Sequence, residues 1–256
     1  TLLKIADYYE KTDLVKSQEY TEKALVEAEK LGNDSIISKA HMHMGYRNFN
    51  VGLYEPAVKN FSRHIEMEKK RNNSLGVSNA MVNLAAVRIR MEDFENAKHY
   101  LLEALKMYEL QLSQSPDSSP LVQLITVYNN LGIVFQNQKL YPEAVDYYNR
   151  GISLALGVKN IESTLAMLYN NLGTTFLDEG KLELALESFN KSLSIRIKAN
   201  DKQGLASSYR NLAQYYTIAR QRNNAYSYLH KALALAKETG DVTIESNVSD
   251  KLFQLY

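Results

Sequence analysis

The 256-residue chain has no cysteine, no tryptophan, only four prolines and almost no net charge. Without cysteine it has no disulfides, no thiolate nucleophile and no cysteine-ligated metal or iron–sulfur site. Thirty basic residues balance 29 acidic ones, and they do not gather into the basic stripe that nucleic-acid binding requires. No apolar run approaches the roughly 20 residues of a membrane-spanning helix. With so few prolines, the composition favours an all-α protein with few, local breaks.

One sequence pattern recurs with a period of about 40 residues. The segment Tyr-Asn-Asn-Leu-Gly of residues 128–132 returns unchanged at residues 169–173. Each copy of the pattern has a small residue, an alanine 12 residues later and a bulky residue after four more. The small residues are Gly45, Ala85, Gly132, Gly173 and Ala213; the alanines are Ala57, Ala97, Ala144, Ala185 and Ala225; the bulky residues are Phe61, Leu101, Tyr148, Phe189 and Leu229. A repeat of this length is typical of stacked helix–turn–helix units.

Stop signals divide the pattern into 13 predicted helices. Gly or Asn can adopt the left-handed conformation that ends a helix, and Asp can cap the helix that follows. We therefore predict helix ends near Gly32, Asn72, Gly157, Asn200 and Gly240, with Asp34, Asp201 and Asp241 as caps. The segment from Leu112 to Pro120 carries the seven extra residues of the longest period. It is predicted to be a surface loop, with Ser119 as the cap of the next helix.

Fixed places in the pattern define a packed face. With each small residue numbered as position 8, positions 4, 7, 8 and 11 lie on one face of the first helix. The copy with Leu172, Gly173, Ala185 and Phe189 resembles the tetratricopeptide repeat, which has Leu at position 7, Gly or Ala at 8, Ala at 20 and Phe or Tyr at 24. The departures from the family pattern are Arg88 at an aromatic position 11, and His64 and Gly151 where position 27 is Ala.

The resemblance implies an all-α fold, a right-handed α–α superhelix in which helix–turn–helix repeats form a solenoid over the whole chain. The expected repeats are residues 1–32, 33–73, 74–117, 118–160, 161–200 and 201–240, with a partial seventh repeat at 241–256. A solenoid of this family implies a binding scaffold for a protein or peptide.

Positions 2, 6, 9 and 13 of the first helices point away from the packed face, and we call these side chains the polar surface. In the family this surface lines the concave groove. Position 6 is Asn in four successive repeats, although Asn inside a helix costs roughly 0.6 kcal/mol relative to Ala. An amide matches the donors and acceptors of an extended peptide backbone; copying of the residue by duplication, without function, is the alternative. The candidate partner-binding residues are Asn83, Asn130, Asn171, Asn211, Tyr46, Arg90, Asn137, Met167 and Arg210.

Other kinds of site find no support in the sequence. His41 and His43 are two residues apart on a helix and point about 200° apart, so they cannot hold one metal ion. One subclass of the family grips a C-terminal carboxylate with Lys and Arg at set groove positions, and this pattern is lacking because Arg90 and Arg210 lie in distant repeats. We therefore expect no enzyme activity, no cofactor and no metal.

The leading function is the sensor or adaptor domain of a signalling protein, which binds an extended polypeptide in the groove. Residues 1–6 and the Lys-Ser-Leu-Ser-Ile-Arg segment at 191–196 look like the repeat regions of bacterial sensor kinases, a likeness that favours a periplasmic over a cytoplasmic location. A cytoplasmic peptide-sensing transcription regulator domain is one alternative. A self-association module is another, because the partial seventh repeat ends in apolar residues that include Leu252 and Phe253. We expect no nucleic-acid or membrane contact by this segment.

Overall fold

The computed structural model describes residues 2–9, 12–114 and 120–255. Within these residues it contains 13 α-helices and no β-strand, which confirms the predicted all-α repeat architecture. The helices are α1 (Leu2–Tyr9), α2 (Leu14–Lys30), α3 (Asp34–Asn50), α4 (Tyr54–Lys70), α5 (Ser74–Arg90), α6 (Phe94–Gln114), α7 (Leu121–Asn137), α8 (Tyr141–Ala155), α9 (Glu162–Asp178), α10 (Leu182–Lys198), α11 (Lys202–Ile218), α12 (Arg222–Thr239) and α13 (Val242–Leu255).

The chain divides into two compact units, residues 1–130 and residues 131–256. In the first unit each helix from α1 to α6 packs on the next one in sequence, and in the second unit the same holds from α8 to α13. In the second unit α9 also contacts α11, and α11 contacts α13. The first helices of successive repeats therefore form a layer of their own there, on which their polar side chains lie close together.

The interior of each repeat confirms the packing role of the small residues. Ala185 and Phe189 are fully buried. A Cβ atom added to Gly173 would lie 2.7 Å from the Phe189 ring and 3.2 Å from the carbonyl oxygen of Ala185, far inside van der Waals contact. The helices α9 and α10 can approach this closely only because Gly173 has no side chain. The same relation holds between Gly45 and Phe61 and between Gly132 and Tyr148.

Helices end where the stop signals predict. Four of them, α2, α4, α10 and α12, are each followed within two residues by a left-handed residue with φ between 52° and 71°. These residues are Gly32, Asn72, Asn200 and Gly240. After α8 the left-handed residue is Asn160, with φ of 60°. Asp201 and Asp241 cap α11 and α13 as predicted, by accepting hydrogen bonds from the backbone N–H groups of Gly204 and Ile244.

The cap of α3 and the end of α6 differ from the prediction. Asn33, not Asp34, accepts the capping hydrogen bond, from the N–H of Ile36 at 3.1 Å. Asp34 is the first helical residue, where its carboxylate is favoured by the helix dipole and lies 2.8 Å from Lys70 Nζ. Helix α6 continues to Gln114, past the predicted start of the surface loop. Ser119, the predicted cap of α7, lies outside the described residues.

Candidate functional site

The polar surface of the first helices lines a cavity in each unit. The first-unit cavity, of about 490 Å³, lies between α3, α5 and α7, and Tyr46 and Asn83 are among its lining residues. The second-unit cavity, of about 320 Å³, lies between α7, α9, α11 and α13 and is lined in part by Asn171, Arg210 and Asn211. The structure thus brings five of the nine candidate residues to a cavity wall.

The other four candidates lie outside the linings of these two cavities. Asn130 is half-buried and accepts a hydrogen bond from Asn129 Nδ2 at 3.3 Å. Asn137 is exposed and donates to a carbonyl oxygen of its own helix at 2.8 Å. Arg90 and Met167 are exposed. Their part in binding stays a prediction.

Two tyrosines present neutral hydroxyl groups at the first-unit cavity. Tyr46 packs edge-on against Phe61 with ring centroids 5.3 Å apart. Burial raises the pKa of Tyr46, and a hydrogen bond with Asn83 lowers it in part. Tyr108 is fully buried and donates to Asn79 Oδ1 at 2.6 Å, and burial raises its pKa to about 12. Both phenols are therefore uncharged at neutral pH and hold neighbouring amides in place.

A buried polar network forms another wall of the same cavity. Ser38 donates its hydroxyl proton to Glu68 Oε1, and Ser38 Oγ lies 2.8 Å from His64 Nδ1. Because the serine proton is already used, the imidazole must donate from Nδ1, and Nε2 is left as an acceptor when the ring is neutral. Arg71 and Asn73 also donate to the Glu68 carboxylate. The network thus joins α3, α4 and the cap of α5.

Of the two titratable groups of this network, one is held neutral and the other ionised. Burial lowers the pKa of His64 and outweighs the opposing effect of the Glu68 charge. Burial alone would raise the pKa of Glu68, but hydrogen bonds from Ser38 and Asn73 and the charge of Arg71 hold it below its usual value. At neutral pH the imidazole is therefore neutral and the carboxylate ionised.

Two glycines make room for buried charges at equivalent places in two repeats. Glu68 and Arg196 each lie four residues after position 27, near the end of a second helix, and are 3% and 6% exposed. A Cβ atom on Gly76 would collide with the Glu68 carboxylate, and one on Gly204 would lie 2.8 Å from Arg196 Nε. Such buried polar networks could therefore be predicted from the sequence. The pattern is a charged residue four positions after position 27, followed by a glycine in the first turn of the next repeat.

Acidification is expected to destabilise the first unit. In the unfolded chain His64 titrates near 6.5, whereas in the folded protein its pKa is lower, so below about pH 6.5 the unfolded state binds more protons and stability falls. Glu68, with its lowered pKa, adds to the loss at still lower pH. We expect the wild-type melting temperature to fall between pH 7.5 and 5.5, and His64→Ala to reduce that fall. His230→Ala, at an exposed histidine, is the control; an identical fall in His64→Ala and wild type would contradict the assignment.

The second-unit cavity is lined mainly by amides and two cations. Asn171 and Asn211 of the predicted set are joined there by four further amide side chains, namely Gln136, Asn170, Gln214 and Asn247. Gln214 is at position 9 and Asn247 at position 2 of the partial seventh repeat, whereas Gln136 and Asn170 lie outside the four positions of the polar surface. Arg210 and Lys251 supply the positive charge, and none of the lining residues is acidic. The arrangement offers many hydrogen-bond donors and acceptors and a net positive charge.

Asn211 differs from the other predicted amides in its burial and in its hydrogen bonds. It is only 8% exposed, donates from Nδ2 to Asn170 Oδ1 at 3.0 Å, and accepts at Oδ1 from Arg210 Nε at 3.2 Å. Asn211 therefore ties α9 to α11 and orients the guanidinium of Arg210. Little of its side chain is exposed, and its part in binding stays a prediction.

Lys251 is a candidate site residue that was not predicted from the sequence. It lies on α13 at position 6 of the partial seventh repeat, the place that Asn occupies in four earlier repeats. Arg210 and Lys251 line the same cavity, and burial, followed by the positive charge of Arg210, lowers the pKa of Lys251. Comparing Arg210 only with the distant Arg90 leaves Lys251 out. Numbering the residues of α13 in the same way as the earlier first helices would have identified Lys251 as the second cation.

Comparison with known proteins agrees with the geometry. Sequence models of the tetratricopeptide repeat match residues 123–198 and 164–238, and a further one matches residues 78–109. Together these matches cover more than half of the chain. The chain belongs to the tetratricopeptide-repeat family. No curated protein matches the sequence.

Several solved structures share the fold of this tetratricopeptide-repeat chain. BtubC from P. vanneervenii is 19% identical with a TM-score of 0.59, over 79% of this chain and 90% of that one. Aspartyl phosphate phosphatase F from Bacillus subtilis is 15% identical with a TM-score of 0.71, over 88% of this chain but only 58% of that one. A Rap protein complexed with competence and sporulation factor is 13% identical with a TM-score of 0.69, over 99% and 73%. At these identities the likeness shows the fold alone.

Among the residues with described positions, no group of three or more His, Asp or Glu side chains could hold a metal ion. Within the same residues, no helix is both long enough and apolar enough to cross a membrane.

Proposed function

We propose that this tetratricopeptide-repeat chain is the peptide-binding sensor or adaptor domain of a signalling protein, and that an extended polypeptide lies on the polar surface of its first helices. The observation that carries the proposal is the second-unit cavity, where Asn171 and neighbouring amides meet between α9, α11 and α13. Amide side chains can pair with both the N–H and the C=O groups of an extended backbone without reading its side chains. Repeat folds of this family are typically non-catalytic scaffolds, which agrees with this role.

The likeness to a Rap protein complexed with competence and sporulation factor adds support, because that chain binds its factor on the same kind of fold. The similarity is at the level of fold, so the identity of a ligand does not transfer to this chain. Self-association stays a prediction; its support is Phe253 on α13, which is 83% exposed.

Selection from a random peptide library on the immobilised chain would test the proposal. We expect enriched peptides that shift the backbone amide resonances of the first helices α9 and α11 when they are titrated into labelled protein. The second helices α10 and α12, on the other side of each repeat, should show no comparable shifts. Failure to enrich any peptide, or shifts centred on α10 and α12, would contradict the proposed surface.

A further inference from the structure

Two cations line the second-unit cavity without a carboxylate partner. Among the described residues no Asp or Glu oxygen lies within 4.0 Å of Arg210 or Lys251, although ion pairs of this kind hold many other Lys and Arg side chains of the chain. The charge of Asp241 acts on Arg210 and opposes the effect of burial on its pKa, but this carboxylate forms no ion pair with Arg210 and accepts from the N–H of Ile244 instead. Within the described part of the chain, neither cation is thus in contact with a carboxylate.

Neutral amides hold both cations in place. Arg210 donates from Nε to Asn211 Oδ1 at 3.2 Å, and its two Nη atoms have no partner among the described residues. Lys251 Nζ lies 3.5 Å from Gln214 Oε1. A guanidinium fixed through Nε presents its two Nη groups as a planar pair of donors, the geometry that matches an oxyanion, and an ammonium group adds a point charge.

Arg196, in the same unit, is a buried cation with a structural role. It is 6% exposed, yet its Nη1 donates to the Gly204 carbonyl oxygen and to Ser208 Oγ, and Asp201 lies 4.0 Å from Nε. The protein thus supplies the partners of Nη1 and a carboxylate at 4.0 Å, although Nε has no hydrogen-bond partner. Burial also lowers the pKa of Arg210 and of Lys251, but neither has a carboxylate within that distance among the described residues.

We propose that the second-unit cavity binds a phosphoryl group between Arg210 and Lys251. The site presents two positive charges and no negative one among its lining residues, so a doubly charged phosphate oxyanion balances it, whereas a single carboxylate leaves one charge uncompensated. Asn211 is a positioning residue, because it orients Arg210 without reaching the anion. That the phosphoryl group arrives on a bound polypeptide rests on the proposed function; binding of the phosphoryl group itself does not.

Inorganic phosphate titrated into isotope-labelled protein at constant ionic strength tests the site without any peptide. We expect shifts confined to the cavity residues, and a rise in the pKa of Lys251 as phosphate binds. Arg210→Gln and Lys251→Met should each weaken phosphate binding by at least about tenfold, the loss of a charge-assisted hydrogen bond. The matched controls are Arg222→Gln and Lys237→Met, at exposed cations of α12, and they should bind phosphate like wild type.

Two results would overturn the assignment. One is the absence of phosphate-dependent shifts at the cavity, or shifts that survive Arg210→Gln and Lys251→Met. The other is acetate binding as tightly as phosphate, which would show that the site does not require a dianion. A serine-phosphorylated form of a library-selected peptide then identifies the carrier: binding tighter than both inorganic phosphate and the unmodified peptide places the group on a polypeptide. Equal binding by the phosphorylated and unmodified peptides would exclude a polypeptide carrier and, with a positive phosphate titration, leave the site to small phosphorylated molecules.

Discussion

Gly173→Leu is expected to lower the free energy of unfolding by about 3 kcal/mol, the upper part of the range for overpacked cores. Even a single carbon atom at Gly173 would lie 2.7 Å from the Phe189 ring. It would also lie 3.2 Å from the carbonyl oxygen of Ala185. A ring can turn aside but the backbone carbonyl cannot, so α9 and α10 must separate to admit the side chain. Urea denaturation followed by circular dichroism measures the loss.

Gly157→Leu is the matched control for this substitution. A Cβ atom there would have only the Leu154 carbonyl oxygen nearby, at an ordinary contact distance of 3.5 Å, so we expect a small effect. In a Phe189→Ala background the cost of Gly173→Leu should also shrink, because the ring with which it collides has been removed. Equal destabilisation by Gly173→Leu and Gly157→Leu would mean that the packed face is wrongly assigned.

Phe189→Ala is expected to destabilise the protein by about 3–5 kcal/mol, as is usual when a buried aromatic side chain is deleted. Phe189 is fully buried in a core cluster with Leu177, Leu212 and Tyr215, so its removal leaves a cavity between three helices. The control is Phe253→Ala, at a side chain that is 83% exposed, where surface substitutions change stability by less than about 0.5 kcal/mol. Similar unfolding midpoints for the two variants would contradict the core described above.

The packing of the repeats could be predicted because it depends on residue size at a fixed period. Gly173, Ala185 and Phe189 each have a counterpart in four other repeats, and each position has one physical reason. Helix ends were equally accessible where Gly or Asn takes the left-handed conformation. Helix ends were harder to predict within the repeats, where Glu92, Lys139 and Arg220 have φ between 57° and 60°. These residue types do not indicate a left-handed conformation.

The candidate site could be predicted only in part, because its chemistry depends on contacts between repeats. Counting positions located Asn171 and Asn211 on the first helices. It could not show that Asn211 donates to Asn170, since this bond joins side chains on two different helices, α11 and α9. The Ser38–His64–Glu68 network has the same character, because Ser38 on α3 meets His64 and Glu68 on α4 only when the two helices pack together.

We assign packing and binding to different faces of the same first helices. Position 8 and its neighbours pack inside the repeat, and we propose that the less buried residues at positions 2, 6, 9 and 13 face a partner. Asn171 is a position-6 amide that lines the second-unit cavity and, unlike Asn211, is only half-buried. It should therefore matter for binding and little for stability.

Titration calorimetry of a library-selected peptide against three proteins tests whether the polar surface binds a partner without contributing to stability. The proteins are the wild type, Asn171→Ala, and Asn190→Ala as the matched control, since Asn190 is an exposed amide on the second helix of the same repeat. We expect Asn171→Ala to weaken binding by about 1–2 kcal/mol, because a peptide group of the partner loses its hydrogen bond. Asn190→Ala should bind like the wild type, and all three proteins should share one melting temperature. Equal affinity of all three proteins for the peptide would contradict the claim.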